Sequence, residues 1–221
     1  MSLQGSSTLV MPLSGSRDIG LADQGNLYTA ITPTPGTGIV SGAAVTTFNE
    51  LAPYLCLVNT GNLNIYPLYM RLHTTVVGVG NTVAAWTLTL DPTNRYSSGG
   101  TALTINNTNM NSANKSGAEI YVGAVTATAA SGTRRIIGHQ TTQFALEIVH
   151  DTIFFNFGGA DQTDPAYLID NASGSATDLS HKTITFAPFV VGPGHSFVAV
   201  RWGASQSTGV TYEVEFTWIE R

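Results

Sequence analysis

Tyr212, Val214, Phe216 and Trp218 alternate without a break with Thr211, Glu213, Glu215 and Thr217. Successive side chains of an extended chain point to opposite faces, whereas a helix returns to one face every 3.6 residues or so. The segment therefore predicts a β-strand with one apolar and one polar face, and an amphipathic helix is excluded. The same period sets Ala84, Trp86, Leu88 and Leu90 against Val83, Ala85, Thr87 and Thr89, and groups Leu68, Met70 and Leu72 on another strand. Residues 52–59, 118–128, 133–140, 144–157, 183–190 and 195–202 read as further strands. That makes about nine from residue 52 onward, with residues 26–32 ahead of them.

Turn-forming clusters such as Asn59-Thr60-Gly61-Asn62, Ala130-Ser131-Gly132 and Gly192-Pro193-Gly194 separate the strands. Phe48-Asn49-Glu50 is expected to close a short turn. Two longer polar connections, residues 91–117 and 158–182, interrupt the rhythm and are expected to be loops that carry contacts. Many short strands with turns between them, and no internal repeat, predict an all-β fold. The expected architecture is an antiparallel two-sheet sandwich, jelly-roll-like, over residues 26–221 as a single domain. Residues 1–25, rich in Ser and Gly with no sustained period, predict a flexible, extended N-terminal arm.

Composition narrows the function. Only 10% of residues are charged against 43% hydrophobic, and the net charge of −5 is not gathered into runs. Neutralising phosphates needs clustered Lys or Arg, so no nucleic-acid partner is expected. Arg134-Arg135, where two basic residues do adjoin, reads as a solvated strand edge. No apolar run approaches the roughly 18 residues of a membrane span, and residues 1–7 lack the features of a secretion signal. Synthesis and folding in a cytoplasm, without a membrane partner, is the expectation. Cys56, the one cysteine, sits in the apolar run Tyr54-Leu55-Cys56-Leu57-Val58 and is expected to be a buried thiol.

The residues suggest no catalytic centre and no cofactor. His73, His139, His150, His181 and His195 are scattered, with no zinc-motif spacing. His150 and Asp151, as neighbours in a strand, would point apart. No Gly-x-Ser-x-Gly elbow is present, and Ser196 follows what reads as a hairpin turn. Asp161, Asp164, Asp170 and Asp178 share one loop but fit no EF-hand spacing. Asn107, Asn114 and Asn171 head N-x-Ser/Thr sequons, which carry meaning only in a secreted chain. Tyr96, Tyr121 and Tyr167 lie near loops, where a sugar platform would sit, although packing is the plainer reading. Trp86, Trp202 and Trp218 fall within strands and are expected in the core.

The stretch Asp91-Pro92-Thr93-Asn94-Arg95-Tyr96-Ser97-Ser98-Gly99-Gly100-Thr101-Ala102-Leu103-Thr104, followed by residues 107–114 and Tyr121-Val122-Gly123-Ala124-Val125-Thr126-Ala127, resembles jelly-roll virion structural proteins of tailed bacteriophages. The likeness covers residues 51–221, and Asn94 to Gly100 is its most specific part. It implies a capsid decoration or cement protein that binds the outer shell as a multimer. The implied partners are further copies of the chain and the major capsid protein or other virion proteins. The implied location is the virion, after synthesis in the host bacterium. A trimer is expected, a dimer being equally compatible with the sequence. The alternative is a receptor- or carbohydrate-binding module of a tail fibre or spike, and a cupin-like metal enzyme is the remaining reading. The resemblance carries over no catalytic, cofactor or metal residue.

Overall fold

The computed structural model describes residues 17–41, 47–80, 84–142, 149–158, 181–203 and 206–221. A short helix, α1 (Arg17–Asp23), is followed by β1 (Leu27–Ile31), β2 (Ile39–Val40), β3 (Leu55–Asn59), β4 (Ile65–Val76) and β5 (Val79–Gly80). Next come β6 (Ala84–Asp91), β7 (Tyr96–Ala102), β8 (Thr104–Asn107), β9 (Ala118–Ala127) and β10 (Arg135–Thr142). The last are β11 (Thr152–Asn156), β12 (His181–Thr185), β13 (Ser196–Trp202), β14 (Gln206–Thr208) and β15 (Thr211–Glu220).

Two sheets pack face to face. One runs β12-β11-β4-β15-β1-β8, with β2 also on β15; the other runs β10-β6-β13-β3-β9-β7. Pairing is antiparallel except between β11 and β12. In the cores of the two sheets, β11-β4-β15-β1 and β10-β6-β13-β3, the strands that hydrogen-bond are far apart in sequence, and β1 pairs with β15. The result is an all-β, mainly antiparallel two-sheet sandwich, as the strand pattern led us to expect.

The apolar faces meet as the alternation requires. Tyr212, Val214, Phe216 and Trp218 are all buried, as are Trp86 and Leu88. Trp86 of one sheet meets Phe155 of the other edge-on at 5.3 Å, and Tyr54 meets Tyr212 at 5.6 Å. Farther along, Phe157, Phe189, Phe197 and Phe216 pack into one aromatic group at centroid distances of 4.9 to 6.1 Å.

Three expectations change. Residues 17–25 were assigned to the arm, but Arg17–Asp23 is helical and its Leu21 packs on Leu68 and Ile219 of the sheet. Gly25, at φ 69°, ends that helix where Asn26 N donates to Leu21 O, a left-handed step that glycine takes without strain. Residues 1–16 lie outside the described residues. The connection 91–117 is not all loop, because β7 and β8 lie within it. Both are edge strands with little to bury, so they show no apolar alternation. Finally, Trp202 lies not between the sheets but on the outer face, half-buried against Phe48 and His139.

Candidate functional site

The segment Asn94 to Gly100 is anchored from inside. Arg95 is fully buried. Its Nε donates to Thr128 O at 2.8 Å, Nη2 donates to Glu50 O at 3.2 Å, and Nη1 lies 3.4 Å from Asp91 Oδ2 and 3.3 Å from Glu50 Oε2. Asp91 in turn accepts Thr93 N, Thr93 Oγ1 and Ser131 N. Arg134 closes the cluster on Glu50 Oε1 at 2.7 Å, so it is an ion-pair partner rather than a solvated edge residue. Two cations balance two carboxylates, and the Arg95 side chain ties together the segments at Glu50, Asp91 and Thr128. Burial pushes the Asp91 carboxyl up, but the hydrogen bonds from Thr93 and Ser131 outweigh it and hold it below its usual value. This is a structural lock.

Beside the lock, Tyr96 stacks flat on Tyr121, centroids 3.7 Å apart. The Tyr96 hydroxyl donates to Gly99 O and that of Tyr121 to Glu119. Both rings also pack on an outer layer formed by Cys56, Val58, Val125, Val198 and Val200. Each ring thus spends a face on its neighbour, which leaves a poor sugar platform; Tyr167, the third candidate, lies outside the described residues. Gly99 and Gly100 have φ of 73° and 71°, and a Cβ on Gly99 would stand 2.6 Å from Ala124 O. Glycine is required for β7 to approach β9 this closely.

Cys56 is buried and its thiol is pushed up to about 12 by burial, which makes it a poor nucleophile. Burial also raises Tyr54, and burial together with Glu215 pushes Tyr69 up to about 12. These raised groups favour the folded state fully below their ordinary values of 9.0 and 10.0, and the contribution is lost as pH rises toward about 12. Stability to urea is therefore expected to hold through neutral pH and to fall above about pH 9. In Cys56→Val the fall should begin only near pH 10; an unchanged onset would show that the thiol contributes nothing.

Other sequence candidates are used structurally. Ser196 is buried and donates to Thr93 O at 2.7 Å. The Asn107 amide donates to Gly25 O and Asn114 O, and that of Asn114 to Gly25 O, fastening the 107–114 segment to the end of α1. Asn171 and the loop carboxylates Asp161, Asp164, Asp170 and Asp178 lie outside the described residues.

The histidines are where the fold adds most. His139 stacks on Trp202, and the Thr87 hydroxyl bridges its Nδ1 and the indole Nε1. On the opposite sheet, His73 of β4 stacks on His150, centroids 5.5 Å apart. His150 occupies a turn before β11, at φ 75°, and not the strand expected for residues 144–157. Asp151 beside it is buried while His150 is exposed, so the two do diverge. No three His, Cys, Asp or Glu side chains gather for a metal among the described residues.

Three valines near the start of β15 are exposed. Thr211 pairs with Val40 on one side and Val76 on the other. Val40, Val76 and Val79 are each at least half exposed, at 50, 55 and 61%. No helix among the described residues is long and apolar enough to cross a membrane.

No protein-family model, curated protein or solved structure matches the chain.

Proposed function

We propose that this chain is a structural protein of a tailed-phage virion that assembles with copies of itself and binds the capsid shell as a decoration or cement protein, without catalysis. The observation that carries the reading is the exposure of Val40, Val76 and Val79, near the start of β15, on a chain with so few charges. Exposed apolar side chains gathered on a folded domain favour burial against another protein. Closed symmetry then repeats each contact, so that modest apolar patches suffice. The resemblance of residues 91–127 to virion proteins, and an interior filled with aromatic side chains, support the same reading.

The test is the mass of the purified chain in solution by light scattering, alone and after mixing with undecorated capsids. A multimer that co-migrates with capsids is expected, and a monomer indifferent to them would refute the proposal. The double variant Val76→Glu/Val79→Glu places charge on side chains that are more than half exposed, so its folding stability should change by no more than about 1 kcal/mol. Its multimer should nevertheless dissociate, because an interface must desolvate both carboxylates. An intact multimer in that variant would move the contact elsewhere on the surface.

A further inference from the structure

We propose that His73 and His150 form a binding site for a divalent transition-metal ion of the zinc class on the outer face of the β12-to-β8 sheet. The two residues are 77 positions apart, and their approach is made by strand pairing alone. In β4, His73 stands opposite Glu213 of β15 on one side and Thr152 of β11 on the other. The turn carrying His150 is clamped to the same strand, because His150 N donates to Thr74 O at 2.7 Å and Thr74 N to Asp151 O at 2.8 Å. That clamp holds a non-glycine residue at positive φ, a strained conformation that persists only where the surroundings impose it.

The distance between the rings carries the argument. His150 Nδ1 lies 3.5 Å from His73 Nε2. That is long for a hydrogen bond between nitrogens, which is best near 2.9 Å or so. Two imidazole nitrogens bound to one tetrahedral zinc, each at about 2.0–2.1 Å, stand roughly 3.3–3.4 Å apart. The pair therefore matches a metal-bridged geometry more closely than a mutual hydrogen bond. His73 Nδ1 faces Thr152 Oγ1 at 3.4 Å, which leaves Nε2 as the ring nitrogen turned toward His150. The charge balance is favourable too. Glu213 neighbours His73, and the nearest cation along β4, Arg71, is engaged by Glu215. His150 is exposed, so an ion reaches the pair from solvent and keeps water on its remaining positions.

The experiment is calorimetric titration of the full chain with zinc chloride, repeated with cobalt chloride, whose visible absorption reports coordination. One ion per chain is expected. His73→Ala and His150→Ala should each weaken binding by about tenfold or more, and Thr152→Val by a smaller factor. His139→Ala, on the other sheet, should leave it unchanged. Thermal melts of each variant without metal show whether the fold survives, and because the His150 side chain is exposed, His150→Ala keeps the test valid should His73→Ala unfold. Absence of stoichiometric uptake, or uptake equal in His150→Ala and the wild type, overturns the proposal. The outcome is independent of whether the chain binds capsids.

Discussion

Replacement of Arg95 by alanine is expected to lower the unfolding free energy by about 3–5 kcal/mol. The guanidinium is fully buried, and its removal leaves the buried Asp91 carboxylate without its neighbouring cation. It also strips donors from Thr128 O and Glu50 O, carbonyls that fix two separate segments. Urea denaturation at neutral pH measures the loss. Arg95→Lys keeps the charge but not the fork that spans four acceptor atoms, so it should recover only part of it. The pH dependence gives a second reading. The Asp91 carboxyl is held below its ordinary value of 3.8, so its contribution is present above that pH and disappears as pH falls through the lower folded value. The hydrogen bonds that lower it, from Thr93 and Ser131, remain in Arg95→Ala, so both proteins should lose this contribution together below about pH 4 and the gap between them should persist. Equal stability of the two proteins at neutral pH would show that the lock is not holding these segments.

Trp218→Ala is expected to cost a similar amount, about 3–5 kcal/mol, for a different reason. Trp218 lies fully buried on β15, the strand that joins β4 to β1, where it stacks on Tyr28 at 5.9 Å and touches Phe216. Truncation opens a cavity between two packed sheets that cannot close without moving both. The indole also donates from Nε1 to Glu220 Oε1 at 2.9 Å, and the Glu220 carboxylate further accepts Ser116 Oγ and Gly117 N. Glu220 is buried, so losing one donor adds to the cost. A melting temperature lower by roughly 10 °C is expected in calorimetry, at about 2–4 °C per kcal/mol for a chain of this size. Trp218→Phe, which keeps the ring stack and loses the donor, should cost only about 1–2 kcal/mol. If both variants cost the same, the hydrogen bond and not the packing dominates at this position.

The two positions differ in how far they could be read in advance. Trp218 announces itself by alternation, since every second residue of residues 211–218 is apolar. Arg95 does not: in sequence it is one polar residue in a turn-rich connection. Its role exists only because Glu50 and Thr128 are brought to it. The same holds for the candidate metal pair. His73 and His150 carry no spacing that a motif would flag, and His150 was expected in a strand rather than in a strained turn. Trp202 shows the opposite error. Its strand was expected and found, but one sheet has two faces, and both faces of β13 are buried, one in the sandwich and one under an outer layer.

What the sequence determined by itself is the class of the fold: extended strands, their buried faces and most of their positions. Those follow from a local rule, the period of two imposed by backbone geometry on every residue alike. What only the tertiary structure decided is which strands lie side by side. Backbone N–H and C=O groups are the same at every position, so they do not encode a partner, and pairing is settled by the joint fit of both apolar faces around one core. The order of the sheets, the edge strands β7 and β8, the knot around Arg95 and the meeting of His73 with His150 all follow from that global fit.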